Sequence, residues 1–238
     1  MKTALVTGAT GGIGRAIALA LRDHGHHVTA LGRDPAAIAD LAREPGITAR
    51  AVDMADRPAL RAAVADLVPD VLVNNAGMMP PLVPFDQLDE AEIDRAVDIN
   101  LTSMLALTRL VLPAMVAKGA GHIFFTGSTA GHAPFANLAV YAATKAAIGG
   151  FAQSLRLDLA PHGLRVTEIV AGRVETGLYR DRLSVQARAA MYAGNAAVQP
   201  QDVAQMVLAV LKMPPHVDVA RFDILPTRQG LPTGAKET

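Results

Sequence analysis

The stretch Thr3-Ala-Leu-Val-Thr7-Gly8-Ala-Thr10-Gly11-Gly12-Ile13-Gly14 decides how this chain folds. Residues 3–7 are a short apolar run ending in glycines, the pattern of a parallel strand buried on both faces. From 13 to 21, Ala, Ile and Leu recur at helical spacing, and Gly25 marks the stop. Gly8, Gly12 and Gly14 thus occupy a turn from strand to helix. The first amides of a helix point outward and favour a phosphate, and glycine lets a pyrophosphate approach the backbone closely. The spacing is G-x-x-x-G-x-G, which differs from the G-x-G-x-x-G of the standard dinucleotide fingerprint.

The alternation continues downstream. Residues 28–31, 47–52, 71–73, 122–126, 164–170 and 219–225 read as strands, and 35–44, 57–67, 89–115, 140–159 and 201–212 as helices. This pattern predicts an α/β fold: one Rossmann-type, doubly wound domain over residues 1–238, with a parallel sheet of about seven strands and helices on both faces. Residues 78–85 hold three prolines and read as loop. Residues 177–198 read as a variable segment, and the tail from Pro226 as an extended arm or loosely ordered.

Composition removes several classes. A length of 238 residues suits one large core. Net charge is zero, so no electrostatic footprint for nucleic acid or an anionic membrane is expected. Cysteine is absent, which excludes disulfides, thiolate metal sites and thiol nucleophiles. The chain enters its first strand without a signal-peptide pattern, and no apolar run reads as long enough to span a bilayer, so a cytoplasmic location is expected. His24, His26 and His27 stand near the end of the first helix, where cations are favoured, and read as helix-end residues, not metal ligands.

Selectivity between dinucleotides is read at the end of the second strand. An acid there accepts ribose hydroxyls, whereas a basic residue pairs with a 2′-phosphate. The residues are Gly32-Arg33-Asp34, and the guanidinium of Arg33 suits a phosphate, so NADP is expected, with NAD as the alternative.

Tyr141 and Lys145 are four residues apart in a helical run, on one face and one turn apart. Ser128 lies thirteen residues before Tyr141, just past the strand at 122–126. A phenol, an ammonium and a hydroxyl can therefore meet where a strand gives way to a helix. Taken with the glycine turn and Asn74-Asn75-Ala76-Gly77, these residues make the chain resemble the short-chain dehydrogenase/reductase family over nearly its whole length.

The resemblance implies roles for individual positions. Gly8, Thr10, Gly11, Gly12, Ile13 and Gly14 would cradle a pyrophosphate; Asp53 with Met54 would hold the adenine; Asn75 would sit beside the adenosine ribose and steady the sheet. Asn100 matches an asparagine of a water-linked proton relay, and Ser128, Tyr141 and Lys145 match the other catalytic members. Tyr141 and Lys145 would also face the cofactor, Lys145 holding the nicotinamide ribose. Val174 and the Thr176 hydroxyl would face the carboxamide. The family usually has Pro-Gly after the sixth strand; Ala171-Gly172 stands here, and loss of the φ restraint is expected to loosen that turn.

The implied chemistry is hydride exchange between nicotinamide and the carbonyl or secondary alcohol of a small molecule, with Tyr141 as proton donor and Lys145 lowering its pKa. Met78, Met79, residues 129–135 and the variable segment would wall the substrate, and Arg173, Arg180, Arg182 or Arg188 could meet a carboxylate. Residues 123–131, 165–169 and the ending at 213–219 and 225–228 resemble more narrowly the branch with serine and 3-hydroxy-acid dehydrogenases, which uses NADP. Small residues Ala96, Ala106, Ala142, Ala143, Ala146, Gly149 and Gly150, on helices that form the family's main dimer interface, imply a homo-oligomer, with tetramers common in the family. Two other readings compete. A cofactor-binding regulatory protein conflicts with the intact Ser128, Tyr141 and Lys145, and an epimerase or dehydratase needs a larger substrate region.

Overall fold

In β1 (Lys2–Thr7) alternate side chains serve opposite layers: Ala4 and Val6 enter one core and Leu5 the other. That double burial is why the strand reads as a continuous apolar run. β2 (His26–Gly32), β3 (Ile47–Ala51), β4 (Val71–Asn74), β5 (Gly121–Thr126), β6 (Leu164–Ala171) and β7 (Arg221–Ile224) complete a sheet in the order β3-β2-β1-β4-β5-β6-β7. Every neighbouring pair is parallel. The computed structural model describes residues 1–228, so most of the tail expected to be extended lies outside the described residues.

The helices are α1 (Gly12–Asp23), α2 (Pro35–Leu41), α3 (Arg57–Val64), α4 (Glu90–Val97), α5 (Ser103–Lys118), α6 (Ala139–Leu159), α7 (Val185–Tyr192) and α8 (Pro200–Leu211). α1 and α8 cover one face through Ile17, Leu21, Val203 and Val207; α3, α5 and α6 cover the other through Leu60, Leu107, Val111 and Ile148. The order reverses between β1 and β4, and the carboxyl ends of the strands there open a crevice of the kind where open α/β sheets bind ligands.

The structure corrects two expectations. The helix expected over 89–115 is interrupted by a π-helical turn, Asp98–Thr102, which carries Asn100 inward. A π-turn shifts the hydrogen-bonding register by one residue and is frequent at functional sites. The continuous helical stretch Glu90–Lys118 is also long and apolar enough to cross a membrane, contrary to the reading of run lengths. Here Met104, Leu107, Val111 and Met115 on that stretch pack against the sheet as core. At the end of α1, the Nδ1 atoms of His24 and His26 meet the carbonyls of Ala20 and Leu21, at 3.0 and 3.1 Å.

Candidate active site

The glycine turn is shaped by crowding. Gly8 and Gly12 have φ of +63° and +51°, and a Cβ at Gly14 would lie 2.2 Å from the Gly8 carbonyl oxygen. α1 starts at Gly11 with no side-chain cap and no acid in its first turn, and the space beside Gly11 is open. Its amides and helix dipole are thus available to an anion. A Cβ at Gly32 would stand 2.3 Å from the Thr10 methyl, so a carboxylate cannot occupy that position without displacing the turn. Asp34 is engaged as the cap of α2, accepting from the amides of Ala36 (2.9 Å) and Ala37 (3.3 Å). Arg33 remains as a cationic side chain lining the same cleft. These features fit a dinucleotide with a phosphate near Arg33.

A cleft of about 1060 Å³ runs from Arg33 past Gly8, Thr10, Gly11, Gly12 and Ile13 to Asn75, Ser128, Tyr141 and Lys145, and on to Val174 and Thr176. The structure brings these residues together along one sheet edge. Gly14 and Asn100 stand behind that lining. Asp53 and Met54 also stand apart from it: Asp53 accepts from the Ala55 amide at 3.0 Å, and Met54 is buried in the core.

Ser128 follows β5, and its hydroxyl accepts from the Ala130 amide at 3.1 Å, capping a short 3-10 turn. Tyr141 and Lys145 sit one turn apart on α6, the Lys145 Nζ 5.7 Å from the centre of the Tyr141 ring. Both are buried. Nζ donates to the Thr126 carbonyl at 2.7 Å. Burial raises the Tyr141 pKa well above that of a free phenol, the nearby Tyr179 adds to the rise, and Ser128 draws it back down. Burial likewise lowers Lys145 to about 8, opposed by the charge of Glu168. The expected lowering of the phenol by Lys145 does not appear: burial sets the direction, and the group that draws the phenol down is Ser128. The ammonium is spent on a carbonyl, and desolvation acts on both groups.

Asn100 and Asn75 are structural ties. The Asn100 amide accepts from the Met78 N–H at 2.7 Å and donates to the Met78 carbonyl at 3.0 Å, fixing the loop after β4. Asn75 donates to the Thr7 carbonyl at 3.2 Å and accepts from the Thr126 hydroxyl at 3.2 Å, so it joins the ends of β1 and β5 beside the cleft. Thr7 contributes a link not anticipated from sequence: its hydroxyl accepts from the amides of both Asn75 and Ala76, each at 3.0 Å.

Past β6 the chain makes further backbone ties. Gly172 N–H donates to Ile224 at 2.9 Å, and Val174 forms a bridge with Val198. The Thr176 hydroxyl accepts from the Leu178 amide at 3.3 Å while its methyl lies over Gly12. Of the arginines, Arg182 donates to the Met79 carbonyl (2.8 Å) and Glu92 (3.4 Å), and Arg173 to the Met191 carbonyl (3.2 Å). Arg180 lines the cleft with no ion pair among the described residues, while Arg188 does not line it.

A parallel sheet with a phosphate-type glycine turn, and a Ser128 hydroxyl beside a buried Tyr141–Lys145 pair, defines a dinucleotide-dependent oxidoreductase scaffold. The chain belongs to the short chain dehydrogenase family, whose model matches residues 2–187. It is 45% identical to the short-chain type dehydrogenase/reductase y4eK of Sinorhizobium fredii, over 96% of this chain and 92% of that one. It is 36% identical to the NADP-dependent 3-hydroxy acid dehydrogenase YdfG of Salmonella typhi, over 94% and 95% of the two chains. Among solved structures, a closed form of serine dehydrogenase complexed with NADP+ superposes with a TM-score of 0.92 at 33% identity, covering 98% of each chain.

Proposed function

We propose that this protein exchanges hydride between NADP(H) and the carbonyl or secondary alcohol of a small molecule, a 3-hydroxy acid or related aldehyde or ketone. The observation that carries the reading is the convergence of Ser128, Tyr141 and Lys145 on the cleft that also holds the glycine turn and Arg33. When bound, the nicotinamide supplies or accepts the hydride. Ser128 would hydrogen-bond the substrate oxygen, and Tyr141 would give or take its proton. Lys145 would hold the nicotinamide ribose and favour the phenolate. Asn100 would keep the Met78 loop in place, with water linking Lys145 to solvent. Gly8 to Ile13 would hold the pyrophosphate with Gly14 packed behind them, Arg33 the 2′-phosphate, Asn75 the ribose, and Val174 and Thr176 the carboxamide; Asp53 and Met54, outside the cleft lining, would meet the adenine where it projects from the cleft. Arg180 is the side chain best placed for a substrate carboxylate. The outer face of α6, with Ala143, Ala146 and Gly150 exposed, suits a second copy of the chain; Ala96 and Gly149 turn inward and take no part.

The test is absorbance of NADPH and NADH against a panel of aldehydes, ketones, 3-oxo acids and 3-hydroxy acids with NADP+. Turnover with at least one class and tighter binding of NADPH are expected, and Arg33→Asp should erase a preference of about tenfold or more. Equal affinities in the parent would defeat the cofactor assignment, and no turnover across the panel the catalytic one.

A further inference from the structure

A buried carboxylate lies behind the cleft and takes no part in the chemistry described so far. Glu168 stands in the middle of β6, on the face that Val166 turns toward α6, and its side chain is 2% exposed. Oε1 accepts from His132 Nε2 at 2.9 Å, while Oε2 is buried without a hydrogen-bond partner. Two glycines make room for it. A Cβ at Gly127 would lie 2.5 Å from Oε1, and one at Gly149 3.2 Å from both oxygens. Gly127 directly precedes Ser128, and Gly149 lies one turn beyond Lys145. His132 closes the turn that Ser128 caps, and Gly131 in that turn rests on the Lys145 backbone, where a Cβ would meet the carbonyl carbon at 2.7 Å.

A carboxylate this deep costs several kcal/mol unless a cation faces it. His132 donates a hydrogen bond to it from the turn, and on α6 the Lys145 ammonium is the cation that senses its charge. On β7 its register partner is Arg221, whose guanidinium is held by Asp223 at 2.9 Å. β5 presents Phe125 and Gly127, neither of them charged. The negative charge of Glu168 therefore acts on Lys145, opposing the burial that lowers it to about 8.

We propose that Glu168 and His132 are positioning residues for hydride transfer: through His132, Glu168 anchors the turn that aims Ser128, and its carboxylate, held against Gly149 one turn from Lys145, acts on that ammonium. The proposal rests on the hydride-transfer reading of the cleft. Its consequence has a definite sign. Without the carboxylate charge, burial acts on Lys145 unopposed, the ammonium loses its proton at lower pH, and any activity that needs it falls off earlier on the alkaline side.

Glu168→Gln keeps the size and removes the charge. The Lys145 side chain is followed by NMR of 13C-lysine protein against pH, alongside kcat against pH and NADPH affinity. The Lys145 midpoint and the alkaline limb of kcat should both move to lower pH by about half a unit or more, with NADPH affinity within about threefold. An unmoved midpoint, or a limb that stays while kcat merely scales, overturns the electrostatic role. The turn is tested separately: His132→Ala should lose about tenfold in kcat and His132→Gln, which still donates to Glu168, should recover most of it. Equal kcat in parent, His132→Ala and His132→Gln overturns the anchoring role, and this pair decides if Glu168→Gln does not fold. Should the parent turn over no carbonyl, the hydride reading fails, while the NMR midpoint still decides the coupling.

Discussion

At the scale of single residues, Tyr141 carries the sharpest expectation. Its phenol is buried and pushed up in pKa, which favours the protonated form, the state a donor to a developing alkoxide needs. Tyr141→Phe removes that proton and little else, because the ring remains to fill the apolar cluster with Met79 and Ala130. The expected result is a loss of about 100-fold or more in kcat with NADPH affinity nearly unchanged, read by steady-state kinetics and fluorescence titration. Retained turnover would remove Tyr141 from the mechanism. The tyrosine and lysine were legible from their spacing on a helix. The burial of the phenol was not, since it arises with Met79, Leu82, Phe135 and Leu138, which carry no periodic signature. Glu168 had a signal that could have been noticed: an acid inside an apolar strand.

At the scale of elements, β5 and β6 are joined by more than their ladder. His122 on β5 is buried, stacks on Phe124 at 4.1 Å between ring centres, and donates from Nε2 to the Thr167 hydroxyl at 2.7 Å. Thr167 in turn donates to the Val219 carbonyl at 2.7 Å, so its oxygen must act as acceptor toward the imidazole. Burial, reinforced by Arg165, lowers His122 to about 3 from an ordinary 6.5. Between those values the unfolded chain binds a proton that the folded chain refuses. Stability is then complete above about pH 6.5 and declines as the pH falls through that window, by an order of a few kcal/mol. His122→Gln retains a donor and does not titrate, so urea midpoints measured from pH 7 to 4 should fall less steeply than in the parent. Parallel curves for the two proteins would assign the acid loss to other groups.

At the scale of the whole molecule, the outer face of α6 presents Ala143, Ala146 and Gly150 without bulky side chains, and Leu157 on the same helix is 64% exposed. Small residues let helices approach closely, which favours pairing with a second copy. Light scattering at micromolar concentration should give a multiple of the 24.8 kDa chain mass, and Ala146→Glu should shift it toward that mass. A parent protein of single-chain mass contradicts the pairing. The sequence by itself determined the seven-stranded parallel sheet and brought forward Ser128, Tyr141 and Lys145 as candidates for the chemistry, because apolar runs, helical spacing and glycine turns are local signals of local structure. It misjudged the long helix after the proline loop, where a π-turn at Asp98–Thr102 carries Asn100 into hydrogen bonds with Met78 that no local pattern announces. Only the tertiary structure decided which charges meet: that Asp34 caps a helix and leaves Arg33 to the cleft, that Lys145 spends its ammonium on the Thr126 carbonyl, and that Glu168 lies against Gly149, one turn from Lys145. Those are contacts between residues far apart in the chain. Their energies depend on burial and distance, which exist only after the layers have packed.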